Sequence, residues 1–128
     1  MAASAIAQKP ETYKVRLTPV SMDAAMKVTI AGSGSASATL TGATLVVNGK
    51  FDGLLSLATT AQIRRGSVTG VRGPAILDLT VSSAMVGSIG GTFALTPDQV
   101  ESLRKGHLYI QIDSEKAPDG NLWGWLLP

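Results

Sequence analysis

The chain has no cysteine, a single histidine and few aromatic residues. Without cysteine it can form neither a disulfide nor a thiolate metal site. Because His107 is the single histidine, a metal centre built from several histidines of one chain is also excluded. We therefore expect no metal and no cofactor. Aromatic residues make up only 5% of the chain, so a core has to be built mainly from aliphatic side chains.

The chain also lacks a large net charge and long apolar runs. The formal net charge is +2 over 128 residues, which gives no reason to expect a nucleic-acid partner. No apolar run approaches the roughly 18 residues that a membrane-spanning helix needs. The partners that we expect are another protein or a second copy of the chain, with a small ligand as the alternative.

The first ten residues carry a sign of export. Ala5-Ile6-Ala7 before Gln8 is the small-x-small pattern of a signal-peptidase cleavage site. Neither a basic start nor an apolar segment of the required length precedes it. Residues 1–10 are therefore predicted to be a signal-peptide remnant or a disordered tail. The first of these alternatives predicts a periplasmic or secreted protein.

Residues 11–128 are predicted to form one β-domain. Apolar and polar residues alternate in short runs such as 13–17, and Gly, Ser and Thr separate the runs. The period of two continues through the small-residue stretch 36–40, so we predict a strand there rather than a linker. Asn48-Gly49, between two apolar runs, predicts a two-residue type I′ hairpin turn.

One helix has clear start and stop signals. Thr96-Pro97-Asp98-Gln99 combines an N-cap threonine, proline at the first helical position and glutamine at the third, which is a capping box. Gly106 is placed to end the helix. The sequence therefore predicts an antiparallel β-sandwich or barrel of about eight or nine strands, with one short helix over 97–105.

Two segments resemble the CHRD domain, a module named after chordin and common in bacterial exported proteins. Residues 94–126, "ALTPDQVESLRKGHLYIQIDSEKAPDGNLWGWL", share its Leu-Thr before a helix, its Gly-x-Leu-Tyr strand and its Pro-x-Gly turn. Residues 51–79, "FDGLLSLATTAQIRRGSVTGVRGPAILDL", resemble its middle part. The resemblance extends over about residues 13–127 and implies a Greek-key β-fold.

The chain departs from the resembled family where that family usually has histidines. Two of them lie in an Ala-His-Ile-His segment and a third ends the penultimate strand. The matching residues here are Gln62, Arg64 and Asp113, the last followed by Ser114. Since arginine cannot ligate a cation, we interpret these four residues as a rebuilt family site without a metal. The resemblance brings position 64 near position 113 and predicts an Arg64–Asp113 salt bridge.

The closing strand departs too, because Trp123 and Trp125 stand where the family tends to place Arg and Gln. Two residues apart on a strand, both indoles lie on one face. Either they fold inward and fill the space of the missing histidines, or they stay partly exposed with Tyr109 and Leu127 nearby. The second alternative predicts a partner-binding patch, since tryptophan is enriched at interface hot spots.

Catalysis has little support in the sequence. His107 and Asp113 would lie about 20 Å apart along one strand, too far for a catalytic dyad. The leading interpretation is a non-catalytic exported interaction module, such as a small accessory subunit of a larger envelope complex. Two alternatives stay open. One is a ligand- or glycan-binding domain with Trp123 and Trp125 as a stacking platform, and the other is a cofactor-free barrel enzyme of the cyclase or isomerase type.

Overall fold

In the computed structural model, which describes residues 10–19 and 31–127, antiparallel strands close into a barrel. The strands are β1 (Glu11–Pro19), β2 (Ser33–Thr41), β3 (Thr44–Asp52), β4 (Ala58–Arg65), β5 (Ala75–Val81), β6 (Gly87–Ala94), β7 (Leu108–Ser114) and β8 (Ala117–Trp125). One helix, α1 (Pro97–Arg104), joins β6 to β7. The predicted all-β class, the strand number and the short helix are confirmed, and the form is a barrel. The predicted tail over 1–10 lies, except for Pro10, outside the described residues.

The strand order around the barrel is β1-β2-β3-β6-β5-β4-β7-β8. Strands β4, β5 and β6 follow one another as neighbours, and β7 returns to lie beside β4. That order, 7-4-5-6, is a Greek key, as the family resemblance implied. Pairing of Thr18 with Trp123 and of Pro19 with Leu122 joins β1 to β8 and closes the sheet.

The barrel interior is filled by aliphatic side chains. Successive residues of a strand point to opposite faces, so every second residue points inward. Large inward side chains with almost no exposed surface include Leu17, Leu40, Leu45, Ile63, Ile110, Ile112 and Leu122. The aromatic side chains of Tyr13 and Phe51 also belong to this core, so the groups left for the outside of the barrel are mainly polar ones and the aromatic residues of the last two strands.

The predicted turn at Asn48-Gly49 is wrong. Both residues lie inside β3 and pair with β2 along its length, and the chain turns instead at Gly42-Ala43, where Gly42 has a φ of 64°. Gly49 is needed for close packing rather than for a turn. A Cβ there would lie 2.7 Å from the Cβ of Ala36 and 2.8 Å from the Ser35 carbonyl oxygen.

Helix α1 begins as the sequence predicted. The Gln99 amide donates to Thr96 Oγ1 at 3.2 Å, and the Thr96 amide donates to Gln99 Oε1 at 3.0 Å, which confirms the capping box. Leu103 of the helix is fully buried against the barrel core. The helix thereby closes the barrel end at which β6 stops and β7 starts.

An ion pair fastens α1 to the first strand. Arg104 Nη2 donates to Glu11 Oε2 at 2.6 Å, and the Tyr13 hydroxyl donates to Glu11 Oε1 at 2.9 Å. The bond from Arg104 lowers the pKa of the Glu11 carboxyl. Burial, and then the bond to Glu11, raises the pKa of Tyr13 to about 12. The pair is exposed, so its contribution to stability is small.

Candidate functional site

The outer face of β4, β7 and β8, here called the aromatic face, gathers most of the predicted site residues. Arg64 lies opposite Tyr109 across β4 and β7, and Tyr109 lies opposite Trp125 across β7 and β8. The outward residues of these strands include Thr60, Gln62, Arg64, Tyr109, Gln111, Asp113, Trp123 and Trp125. The predicted patch and most of the predicted family site are therefore parts of one surface.

Three aromatic rings pack together on this face. The ring centroids of Tyr109 and Trp125 are 4.3 Å apart, those of Tyr109 and Trp123 are 5.8 Å apart, and those of the two indoles are 6.2 Å apart. Tyr109 is fully buried, whereas both tryptophans are half-buried. Neither alternative for the indoles holds in full, since they pack on Tyr109 outside the barrel and keep part of their surface exposed. Tyr109 itself lies below the surface and supports them.

Residues 66–74, here called the cover loop, bury Tyr109. The Gly73 amide donates to Tyr109 Oη at 3.0 Å, and the same hydroxyl donates to the Gly73 carbonyl at 3.2 Å. Arg64 Nε donates to that carbonyl as well, at 2.9 Å. A Cβ on Gly73 would overlap the Arg65 carbonyl oxygen, so only glycine lets the loop approach so closely.

Arg72 of the cover loop lies over Trp123. The guanidinium carbon is 5.2 Å from the centroid of the indole, within the range of a cation–π contact. Arg72 Nη1 also donates to the Asp119 carbonyl at 3.0 Å, which holds the guanidinium in place. One face of Trp123 is therefore covered by a cation.

The predicted Arg64–Asp113 salt bridge is wrong. The strand register sets Thr60, not Arg64, opposite Asp113. Arg64 Nη1 donates to Gln62 Oε1 at 2.8 Å instead. The Asp113 carboxylate accepts from Thr60 Oγ1 at 2.7 Å and from Gln111 Nε2 at 2.8 Å. Arg64 and Asp113 are thus each held by hydrogen bonds to neutral groups and not by an ion pair with each other.

Gln111, which was not among the predicted site residues, lies at the centre of this network. The side chain is only 3% exposed, and its Oε1 has no hydrogen-bond partner among the described residues. The signal was present, because Tyr109, Gln111 and Asp113 alternate along β7 and share a face. In the part of the chain that the structure describes, no group of three His, Cys, Asp or Glu residues could hold a metal ion.

Ser114 does not belong to the aromatic face. It is fully buried, and its hydroxyl donates to Asn121 Oδ1 at 2.7 Å. Asn121 Nδ2 in turn donates to the Ala31 carbonyl at 2.7 Å. Ser114 follows Asp113 on β7, so the alternation of side chains places it on the opposite side of the sheet. Ser114 thereby holds the end of β7 to β8, and Asn121 holds β8 to the segment that precedes β2.

Exposed aliphatic residues extend the aromatic cluster. Leu127 is 44% exposed, and Val68 and Val71 of the cover loop are 51% and 45% exposed. A Cβ on Gly66 would meet both the Val71 carbonyl and the Trp125 ring, while one on Gly106 would meet Leu127 and Thr69. The cover loop therefore lies close to Trp125 at Val71 and close to Leu127 at Thr69. We call Trp123, Trp125, Val68, Val71 and Leu127 the apolar patch; the two valines were not among the predicted residues.

The fold and this surface define a closed all-β barrel domain that carries its aromatic and polar clusters outside. Residues 15–126 match the CHRD domain family, so the chain belongs to that family. CHRD domains occur in extracellular or secreted proteins. No curated protein and no solved structure matches the chain. Among the described residues, the helix is too short to span a bilayer.

Proposed function

We propose that this CHRD domain is a non-catalytic, exported protein-interaction module that binds its partner through the apolar patch. The observation that carries the proposal is the pair of half-buried indoles fixed on a fully buried Tyr109. Large aromatic side chains with partial exposure are the typical anchors of protein interfaces. The partner is another subunit or a second copy of the chain.

The patch is ordered before any partner arrives. Tyr109 is bonded to the cover loop through Gly73, and Arg72 is bonded to Asp119 while it lies on Trp123. Side chains that are already fixed lose less conformational entropy on binding. This arrangement supports an interface function over a purely structural role for the tryptophans.

The glycan-binding alternative has less support at this surface. A stacking platform for sugar rings needs an open, flat aromatic surface. One face of Trp123 is under Arg72, and Trp125 packs on Tyr109. The two indole planes also stand at 63° to each other, so they cannot form one platform.

A cofactor-free barrel enzyme has less support for a different reason. Such an enzyme would bind its substrate in a cavity between the strands. The centre of this barrel is occupied by side chains without exposed surface, among them Leu17, Ile63, Ile110 and Leu122. The proposal therefore places the function on the outside of the barrel.

The double substitution Trp123→Arg, Trp125→Gln tests the proposal, because it restores the residues that the resembled family tends to have there. We expect an intact barrel by circular dichroism and an association with the partner weakened about thirtyfold or more. Sedimentation velocity measures self-association. Quantitative pull-down from native envelope extract measures binding to other proteins.

A matched control removes two exposed apolar side chains elsewhere. Leu55→Gln, Met85→Gln changes residues that are 43% and 47% exposed and lie outside the patch. We expect this variant to associate like the wild type. Equal loss in both variants, or unchanged association in the tryptophan variant, would rule out the patch as the interface. Unfolding of the tryptophan variant would show that the indoles are needed for the fold.

A further inference from the structure

The outer face of β1, β2 and β3 bears a shallow groove that the interaction proposal does not use. Its volume is about 660 Å³. Its rims and floor present the side chains of Lys14, Arg16, Ser35, Ser37, Asn48 and Lys50. The groove exists because small outward residues line the middle strand while long ones stand on the strands beside it. We call it the basic groove.

The charge of the groove has one sign. Lys14, Arg16 and Lys50 are all exposed, and among the described residues none of them forms an ion pair. No described carboxylate lines the groove. The three cations contribute a charge of +3 to the groove. Because the whole chain has a net charge of +2, all its other charged residues together sum to −1. A concentrated positive charge on a nearly neutral protein attracts polyanions.

The register gives the groove a regular pattern. Arg16, Ser35 and Lys50 form one row across the three strands, and Lys14, Ser37 and Asn48 form another. In the first row the cations stand on opposite rims, two strand spacings or about 10 Å apart. Hydroxyl and amide groups lie between them. Anionic groups can bind at the rims while neutral hydroxyls bind at the floor.

The groove is also elongated. A second depression of about 650 Å³ shares Arg16, Ser35 and Lys50 with it and continues along the strands to Asp52, whose carboxylate limits the cationic part to the shared end. An extended chain therefore fits this surface better than a single small anion does.

We propose that the basic groove binds an acidic polysaccharide, a chain of sugars that carries carboxylate or sulfate groups. No aromatic residue among the described lining residues offers a surface for stacked bases, which nucleic-acid grooves use. β2 is paired on both sides, so a peptide finds no strand edge to extend. The hydroxyl-rich floor between two cationic rims suits the alternating hydroxyls and anions of such a sugar chain.

Binding affinities for defined polymers test the proposal. The probes are polygalacturonate, which carries carboxylates, and heparin, which carries sulfates as well, each measured at low and high salt. Neutral dextran serves as the uncharged comparison. We expect binding to at least one acidic polysaccharide, no binding to dextran, and weakening with salt. Lys14→Gln, Lys50→Gln should weaken binding about thirtyfold.

The control variant Lys105→Gln, Lys116→Gln removes the same charge from exposed sites elsewhere, and its affinity should stay within about twofold of wild type. The tryptophan double variant should bind like wild type, which separates this proposal from the interface proposal. Absence of binding, or equal loss in both lysine variants, would overturn the groove as the site. Tighter binding of polyglutamate or duplex DNA than of either polysaccharide would overturn the identity of the ligand.

Discussion

The aromatic face and the basic groove are two outer surfaces of one barrel, built on the same alternation of inward and outward residues. On the aromatic face the outward residues are large, and the cover loop buries Tyr109 beneath Gly73. In the basic groove the outward residues are small or charged and stay open to solvent. The difference shows that alternation decides what lies inside the barrel, whereas the connections decide which outer residues become buried.

The two connections differ in length, and length decides whether a connection can cover the sheet. The link from β4 to β5 runs from Gly66 to Pro74 and is long enough to fold back over the sheet. The link from β2 to β3 is the tight turn at Gly42-Ala43, which can cover nothing. The aromatic face should therefore contribute measurably to stability, and the groove should contribute almost nothing. The following variants test that contrast.

The largest effect is expected from Gly73→Ala. The added Cβ would overlap the Arg65 carbonyl oxygen, which is backbone and cannot rotate away. The cover loop has to move, and both bonds between Gly73 and Tyr109 are then lost. We expect the free energy of unfolding to fall by about 3 kcal/mol, measured by urea denaturation. Tryptophan fluorescence should shift toward that of solvated indole.

Gly90→Ala is the control for this variant. A Cβ at Gly90 would have its nearest neighbour, the Val47 carbonyl oxygen, at 3.3 Å. A small shift accommodates that contact, so the change in stability should stay within about 0.5 kcal/mol. Similar losses of stability in both variants would mean that the close approach of Gly73 to the Arg65 carbonyl oxygen has no special importance.

The strands and the helix that could be predicted from sequence are those whose signals come from residues close together in the chain. Alternation in 13–17 and 36–40 gave the strands, and the Thr96 to Gln99 capping box gave the helix start. Each of these signals acts within a few residues, where the physical cause is local. The Asn48-Gly49 turn failed because an Asn-Gly pair also fits inside a strand when close packing demands a small residue.

The candidate site was harder to predict because it depends on register between distant strands. Trp123 and Trp125 were correctly placed on one face, since that follows from their spacing alone. The Arg64–Asp113 pair failed because the register sets Arg64 opposite Tyr109. The burial of Tyr109 depends on a loop more than thirty residues away, where Gly73 bonds to it. No local pattern encodes that contact.

A smaller loss is expected from Tyr109→Phe. The ring and its contacts with both indoles remain, and only the hydroxyl that bonds to Gly73 is removed. The Gly73 carbonyl keeps its bond from Arg64, but the amide loses its acceptor. We expect a loss of about 1.5 kcal/mol in urea denaturation. Tyr13→Phe, which removes a bond to the half-exposed Glu11, should cost less, and the reverse order would contradict a structural role for the cover loop.

The smallest effects come from removing one cation from each surface, with Arg72→Gln on the aromatic face and Lys14→Gln in the groove. Both substitutions change the net charge equally, so any general effect of charge cancels in the comparison. Arg72 lies on Trp123 at 5.2 Å, and an exposed cation–π contact stabilises by about 0.7 kcal/mol. Lys14 is exposed and, among the described residues, has no ion-pair partner, so its loss should change stability by less than about 0.3 kcal/mol.

Urea denaturation of the two variants at equal ionic strength measures this difference. The fluorescence of Trp123, followed in a Trp125→Phe background, provides a second and local readout. It should change with Arg72→Gln, because the guanidinium leaves the indole face, and stay constant with Lys14→Gln. Equal stability and equal fluorescence in both variants would mean that Arg72 is as free of structural contacts as Lys14. The part of the cover loop that shields the aromatic face would then end at Gly73, and the face of Trp123 beneath Arg72 would be open to a ligand.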